Sequence, residues 1–181
     1  MKKILFSLLF LASVNSQAQR FMTKTGSVDF SATGAIEKIE GVNKSTACLL
    51  DSKTGAMDFI VQIKSFVFEK QLMQEHFNEN YMESDKFPKA SFKGTIQNPA
   101  SVNFSKDGEY KVDVGGKMNI HGATKDVKAS GKLIVKGGKV ELKASFSVIL
   151  ADYNIAIPGA VKDKISKDAR INVDCVLEPM K

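Results

Sequence analysis

Two histidines, His76 and His121, and two cysteines, Cys48 and Cys175, are the side chains of this chain best suited to reactive chemistry. His76 follows Glu75 and precedes Glu79 by three residues, so a His–Glu pair could share a helix face. Acid–base catalysis or metal binding would need a further carboxylate or a second ligand in register. No HExxH is present, and His76 reads as an exposed helix histidine. His121 sits in a strand-end turn, His121-Gly122, where an imidazole hydrogen-bonds turn backbone; contact with a ligand head group is the second reading. The chain has no Gly-x-Ser-x-Gly elbow, no Walker loop and no Gly-x-Gly-x-x-Gly. We therefore expect no catalytic residue, no metal ligand and no cofactor. The cysteines lie in no CxxC. They are either two small buried thiols or a disulfide, Cys48 to Cys175, and spacing does not choose between these.

The first residues bear on that choice. Met1-Lys2-Lys3 is basic, Ile4 to Val14 is apolar apart from Ser7 and Ser13, and Ser16-Gln17-Ala18 offers small residues for a cut before Gln19. This is a secretory signal pattern over residues 1–18. The apolar run is shorter than the roughly 20 residues a membrane-spanning helix needs. No cysteine follows it to carry a lipid anchor. The chain is expected in the periplasm or outside the cell, where a disulfide can persist. Residues 19–181 then form one domain. Two of the +6 formal charges belong to Lys2 and Lys3, which leaves +4 on residues 19–181. The lysines are scattered and there is no Trp, so nucleic acid is not an expected partner. Oligomeric state is open.

Behind these residues the dominant pattern is alternation with period two, which puts every second side chain on one face of a strand. Val112, Val114, Gly116, Met118 and Ile120 share one phase. So do Val127, Ala129, Gly131, Leu133 and Val135; Val140, Leu142, Ala144, Phe146, Val148 and Leu150; and Ile171, Val173, Cys175 and Leu177. Ile134, Ile149 and Val176 fall on the outer phase. Nearer the start, Ser27–Phe30 and residues 42–50 read as strands, the second of ambiguous phase. Met57, Phe59, Val61 and Ile63 alternate, and after Ser65 the phase flips to Phe66 and Phe68. One extra residue at Lys64–Ser65, a β-bulge, accounts for the flip. Ala90, Phe92, Gly94 and Ile96 make one more strand. Lys106-Asp107-Gly108 and Gly137-Gly138 read as turns between antiparallel neighbours.

From Glu69 to Met82 the period becomes helical. Met73, Phe77 and Tyr81 form a stripe on a helix of roughly three turns, and Phe87-Pro88 ends it. Pro158–Lys167 is an irregular stretch before the last strand. About eight antiparallel strands and one short helix, without βαβ alternation, make an all-β fold, either a sandwich or a closed up-and-down barrel.

Three segments bear on that choice. His76-Phe77-x-x-x-x-Met82-x-x-x-x-Phe87-Pro88-x-x-x-Phe92, the stretch Gly116 to Val127 with its His121-Gly122 and Thr124-Lys125, and Phe146-x-Val148-x-Leu150-x-Asp152-Tyr153-x-Ile155-x-Ile157-Pro158 resemble, in order and spacing, the YceI-like family. The resemblance covers nearly all of residues 19–181, although the family's His-rich start is absent around Ser27-Val28-Asp29-Phe30. It implies a lipocalin-like antiparallel β-barrel, periplasmic or secreted, that holds an isoprenoid or similar apolar lipid and performs no catalysis. On the inward phases, the candidate lining is Phe59, Val61, Phe66, Phe68, Phe92, Met118, Leu133, Phe146 and Val148. Met73 and Phe77 join from the helix, which is either a lid over the barrel mouth or a plug. The same side chains would serve as ordinary core filler. A packed barrel acting as an envelope-stress or protein-interaction module is the competing expectation.

Overall fold

The computed structural model describes residues 19–33, 38–159 and 165–180. The expected leader, residues 1–18, and part of the Pro158–Lys167 stretch lie outside them. Nine stretches of strand follow one another: β1 (Arg20–Thr33), β2 (Glu40–Asp51), β3 (Ala56–Gln62), β4 (Phe66–Val67), β5 (Lys89–Ile96), β6 (Gly108–Ile120), β7 (Ala123–Lys136), β8 (Lys139–Ile149) and β9 (Ile165–Pro179). The pairing is antiparallel throughout, in the order β1, β9, β8, β7, β6, β5, β3, β2, β4, and β1 also pairs β2, so the sheet closes on itself.

β3 and β4 are two halves of one strand, which makes the barrel eight-stranded. Both pair with β2: Ala47–Leu50 face Met57–Ile60, and Val42–Asn43 face Phe66–Val67. Between them Ile63–Ser65 forms a single 3₁₀ turn, at the place where the side-chain phase flips in the sequence. The bend frees backbone groups, and a buried side chain takes them up. Asn43 Nδ2 donates to Gln62 O (2.8 Å), and Asn43 Oδ1 accepts from Ser45 N–H (2.8 Å). A buried amide with both ends partnered stabilises the bend, because either end left unpaired would be costly.

Closure also requires two strands to approach closely. Gly94 and Gly116 pair across β5 and β6, and a Cβ on Gly116 would come within 2.3 Å of Lys93 O. No side chain fits there, which is why the inward phase of both strands carries glycine. The first strand is longer than the pattern suggested: it begins at Arg20, and Phe21 is fully buried. Ile149 and Val176 are outward and exposed, as their phase requires.

Between β4 and β5 the chain forms α1 (Gln71–His76), which runs on into a π-helical turn, Phe77–Tyr81. The wider turn closes with Met82 N–H donating to Phe77 O (2.9 Å). Such single π turns occur often at functional sites. None of the described helices is long and apolar enough to cross a membrane. Two clusters fill the barrel. Away from the helix, Phe21, Leu50, Ile96, Leu133, Val140 and Leu177 pack with both cysteines. At the helix end, Phe66, Phe68, Met82, Tyr153 and Ile155 form the second.

Candidate functional site

Between the two clusters lies a cavity of about 570 Å³, walled almost wholly by apolar side chains. Its volume falls in the range of small-molecule binding pockets. Of the residues the sequence singles out, Phe59, Val61, Phe66, Met73, Phe77, Phe92, Met118, Phe146 and Val148 line it. Two do not. Leu133 is fully buried in the cluster at the far end, beside Leu142, which does line the cavity. Phe68 lies in the helix-end cluster, behind Phe77. Period-two reasoning gives the face of a strand but not the height along it, so it could not separate Leu133 from Phe146.

The helix end is held by aromatic packing. The Phe77 ring lies 5.2 Å from Phe30, 5.4 Å from Phe66 and 4.9 Å from Phe68, stacked on the first and inclined to the others. Such contacts contribute roughly 0.5–1.5 kcal/mol each beyond area burial. Met73, Phe77 and Tyr81 turn their stripe onto the cavity, so the helix forms its roof. Tyr153, Ile155 and Ala169, from the β8–β9 connection and the start of β9, complete the wall there. The sequence reading did not select these three as lining. Burial raises the phenol pKa of both Tyr81 and Tyr153, with Asp152 adding to the effect at Tyr153.

His76 is exposed, at the cavity rim. His121 is buried and does not bond within its own turn, contrary to expectation. Its Nδ1 lies 3.2 Å from Tyr153 O and its Nε2 2.9 Å from Glu83 Oε2. Its ring also meets Phe87 edge-on at 4.5 Å. The Phe87-Pro88 and His121-Gly122 segments are thus in contact, and His121 ties together three connections at the helix end. The turn makes this possible: His121 (φ 49°) and Gly122 (φ 75°) both adopt positive φ, which aims the imidazole inward.

Cys48 and Cys175 are free thiols, both buried, so the possible disulfide is not formed in this structure. Burial pushes the Cys175 thiol up to about 12 and that of Cys48 higher still. They are poor nucleophiles and poor metal ligands. Among the described residues no group of three His, Cys, Asp or Glu is arranged to hold a metal ion. An apolar cavity of this kind can solvate hydrocarbon.

A family model, the YceI-like domain, matches residues 12–177. No curated protein matches the chain. Three solved structures share the fold. A polyisoprenoid binding domain from Saccharophagus degradans, implicated in plant cell wall breakdown, superposes with a TM-score of 0.77 at 10% identity, over 91% of this chain and 100% of that one. BcnA from Burkholderia cenocepacia gives 0.68 at 14%, over 84% and 95%. The YCEI protein of Campylobacter jejuni gives 0.60 at 17%, over 81% and 87%.

Proposed function

The chain belongs to the YceI-like domain family, and from that premise we propose that it is a non-catalytic carrier or storage protein that holds an isoprenoid-like lipid inside its barrel. The observation that carries this reading is the apolar cavity of about 570 Å³ under an aromatic roof. A hydrocarbon chain gains roughly 25 cal/mol for each Å² of surface removed from water, with no need for directional contacts. The methionines of the wall, Met57, Met73, Met82 and Met118, adapt to such a chain more readily than branched side chains do. The polyisoprenoid binding of the Saccharophagus domain supports the same ligand class. The leader at residues 1–18 supports export, hence a periplasmic or secreted carrier. A barrel packed solid, acting as an envelope-stress or protein-interaction module, is the rival; the cavity volume counts against it.

The test is native mass spectrometry of the protein made with its own leader in an exporting host, followed by solvent extraction. The expected result is a polypeptide beginning at Gln19 with one molecule of lipid, released intact by solvent. Apo protein that stays apo after incubation with polyprenols and quinones would overturn the carrier reading.

A further inference from the structure

The barrel wall is not sealed along its whole height. β7 and β8 leave the Gly137-Gly138 turn as a regular ladder, from Lys136 opposite Lys139 to Gly131 opposite Ala144, and there the pairing stops. Beyond that point residues 123–130 of β7 pair only with β6, and residues 145–149 of β8 pair only with β9. Elsewhere pairing runs on towards the helix end, Ser91 with Asn119, Gln62 with Lys89, and Ser31 with both Glu40 and Arg170, except that β4 pairs only with β2, and the chain leaves its end into the helix. The seam is bounded below by the last rung at Gly131. Above, it is crossed by the Leu150–Tyr153 turn, which His121 anchors to the β6–β7 connection.

The cavity reaches this seam. Inward side chains from both of its flanks line it, Val127 and Ala129 on β7, Phe146 and Val148 on β8. So do Ser130, Lys132 and Lys143, which occupy the outward phase of the same strands. Ser91, on the outward phase of β5 and paired on both sides, borders the cavity too; what singles out the β7–β8 side is that three outward residues border it at and just below the end of the ladder. A groove on the outer surface is lined by these three residues as well. We propose that the β7–β8 seam is a lateral portal through which an apolar chain enters and leaves the cavity, past the side of the barrel rather than through its helix-roofed end. The proposal rests on the lipid-binding reading above.

The rim says what kind of molecule suits it. Lys132 pairs with Glu109 (3.1 Å), Lys143 with Glu141 (2.7 Å) and Asp174 (3.2 Å), and Ser130 donates to Asp113 (2.6 Å). Both signs are present and paired, so the rim suits an uncharged polar head, a hydroxyl or a quinone carbonyl, left at the mouth while the chain lies inside. A second chain adding a strand to the free edges is opposed by the exposed charges of Lys125, Asp126 and Lys128 along β7.

The experiment closes the seam from outside. Lys128→Cys with Ser147→Cys places thiols on exposed, outward positions of the two flanks, clear of the cavity lining. The native thiols, buried and protonated, do not compete. The probe is all-trans-retinol, an uncharged isoprenoid alcohol whose own fluorescence rises in apolar surroundings, mixed by stopped flow. Joining the two introduced thiols, directly or with a short bis-maleimide, slows both uptake and release by about tenfold or more. For the direct disulfide, reductant restores the parental rates. Ala129→Trp, which fills the seam from inside, slows uptake without a cross-link. Cross-linked protein that takes up retinol at the parental rate overturns the portal and leaves lipid binding standing. Parent protein that takes up neither retinol nor the polyprenols and quinones of the carrier test removes both.

Discussion

At the residue scale, His121 does more than its place in a tight turn suggests. Its two ring nitrogens meet groups from different connections, Tyr153 O and the Glu83 carboxylate, and its face is capped by Phe87. Replacing it with asparagine keeps a residue that tolerates positive φ at this turn position but cannot span both partners. A hydrogen bond to a charged group contributes about 1.5–3 kcal/mol. Glu83 is 45% exposed, so water partly replaces the lost partner and the expected cost of His121→Asn is about 1–2 kcal/mol. Urea unfolding measures the cost, and hydrogen exchange locates it, with faster exchange concentrated in residues 76–87 and 150–155. A variant with unchanged stability and unchanged exchange would mean that the imidazole tethers nothing.

At the element scale, the roof depends on one side chain more than any other. Phe77 opens the π turn and touches three other rings, so Phe77→Ala removes the centre of the cluster. Truncating a phenylalanine in a core costs about 3–5 kcal/mol. Phe77 keeps part of its surface in water, so the expected loss is about 3 kcal/mol, read as a lower urea midpoint at unchanged slope. A loss below about 1 kcal/mol would show the roof to be loosely packed. The helix itself was plain in the sequence from the spacing of Met73, Phe77 and Tyr81, but its π turn was not, since one extra residue per turn leaves a stripe this short intact. The bend at Ile63–Ser65 was legible because an inserted residue flips the phase of every side chain after it. The first half of β1 was not: its register shifts between Thr23 and Gly26 and again before Val28, which breaks the period, and Phe21 alone carries the signal. Nor was the seam legible. Residues 123–130 alternate as cleanly as any paired strand, and whether a partner lies beside them is decided by strands distant in the chain.

For the whole molecule, the two ends of the barrel do separate work. The end away from the helix is filled with side chains and holds the fold, which leaves the helix end free to enclose a cavity. The cysteines belong to the filled end. A Cβ on Gly26 would sit 2.4 Å from Cys175 Sγ, so the thiol is packed against backbone with no room for an ion's water. This fixes how stability responds to alkali. The ordinary thiol pKa is 9.0, and burial raises Cys175 to about 12 and Cys48 further. Below pH 9 both states hold the proton and there is no pH dependence from these groups. Above it the unfolded chain releases protons that the folded chain keeps, so stability falls as pH rises, by up to about 1.4 kcal/mol per pH unit for each thiol. For Cys175 the fall ends near pH 12. Half-buried Tyr81 and buried Tyr153 act in the same direction, so the effect must be isolated by difference. Urea midpoints measured from pH 7.5 to 10.5 should decline less steeply in Cys48→Ala/Cys175→Ala than in the parent. The constant offset between the curves at pH 7.5 reports lost packing, and the difference in slope above pH 9 reports thiol burial. Parallel curves across that range would mean that the thiols ionise as freely in the folded barrel as in the unfolded chain, and that the filled end admits water.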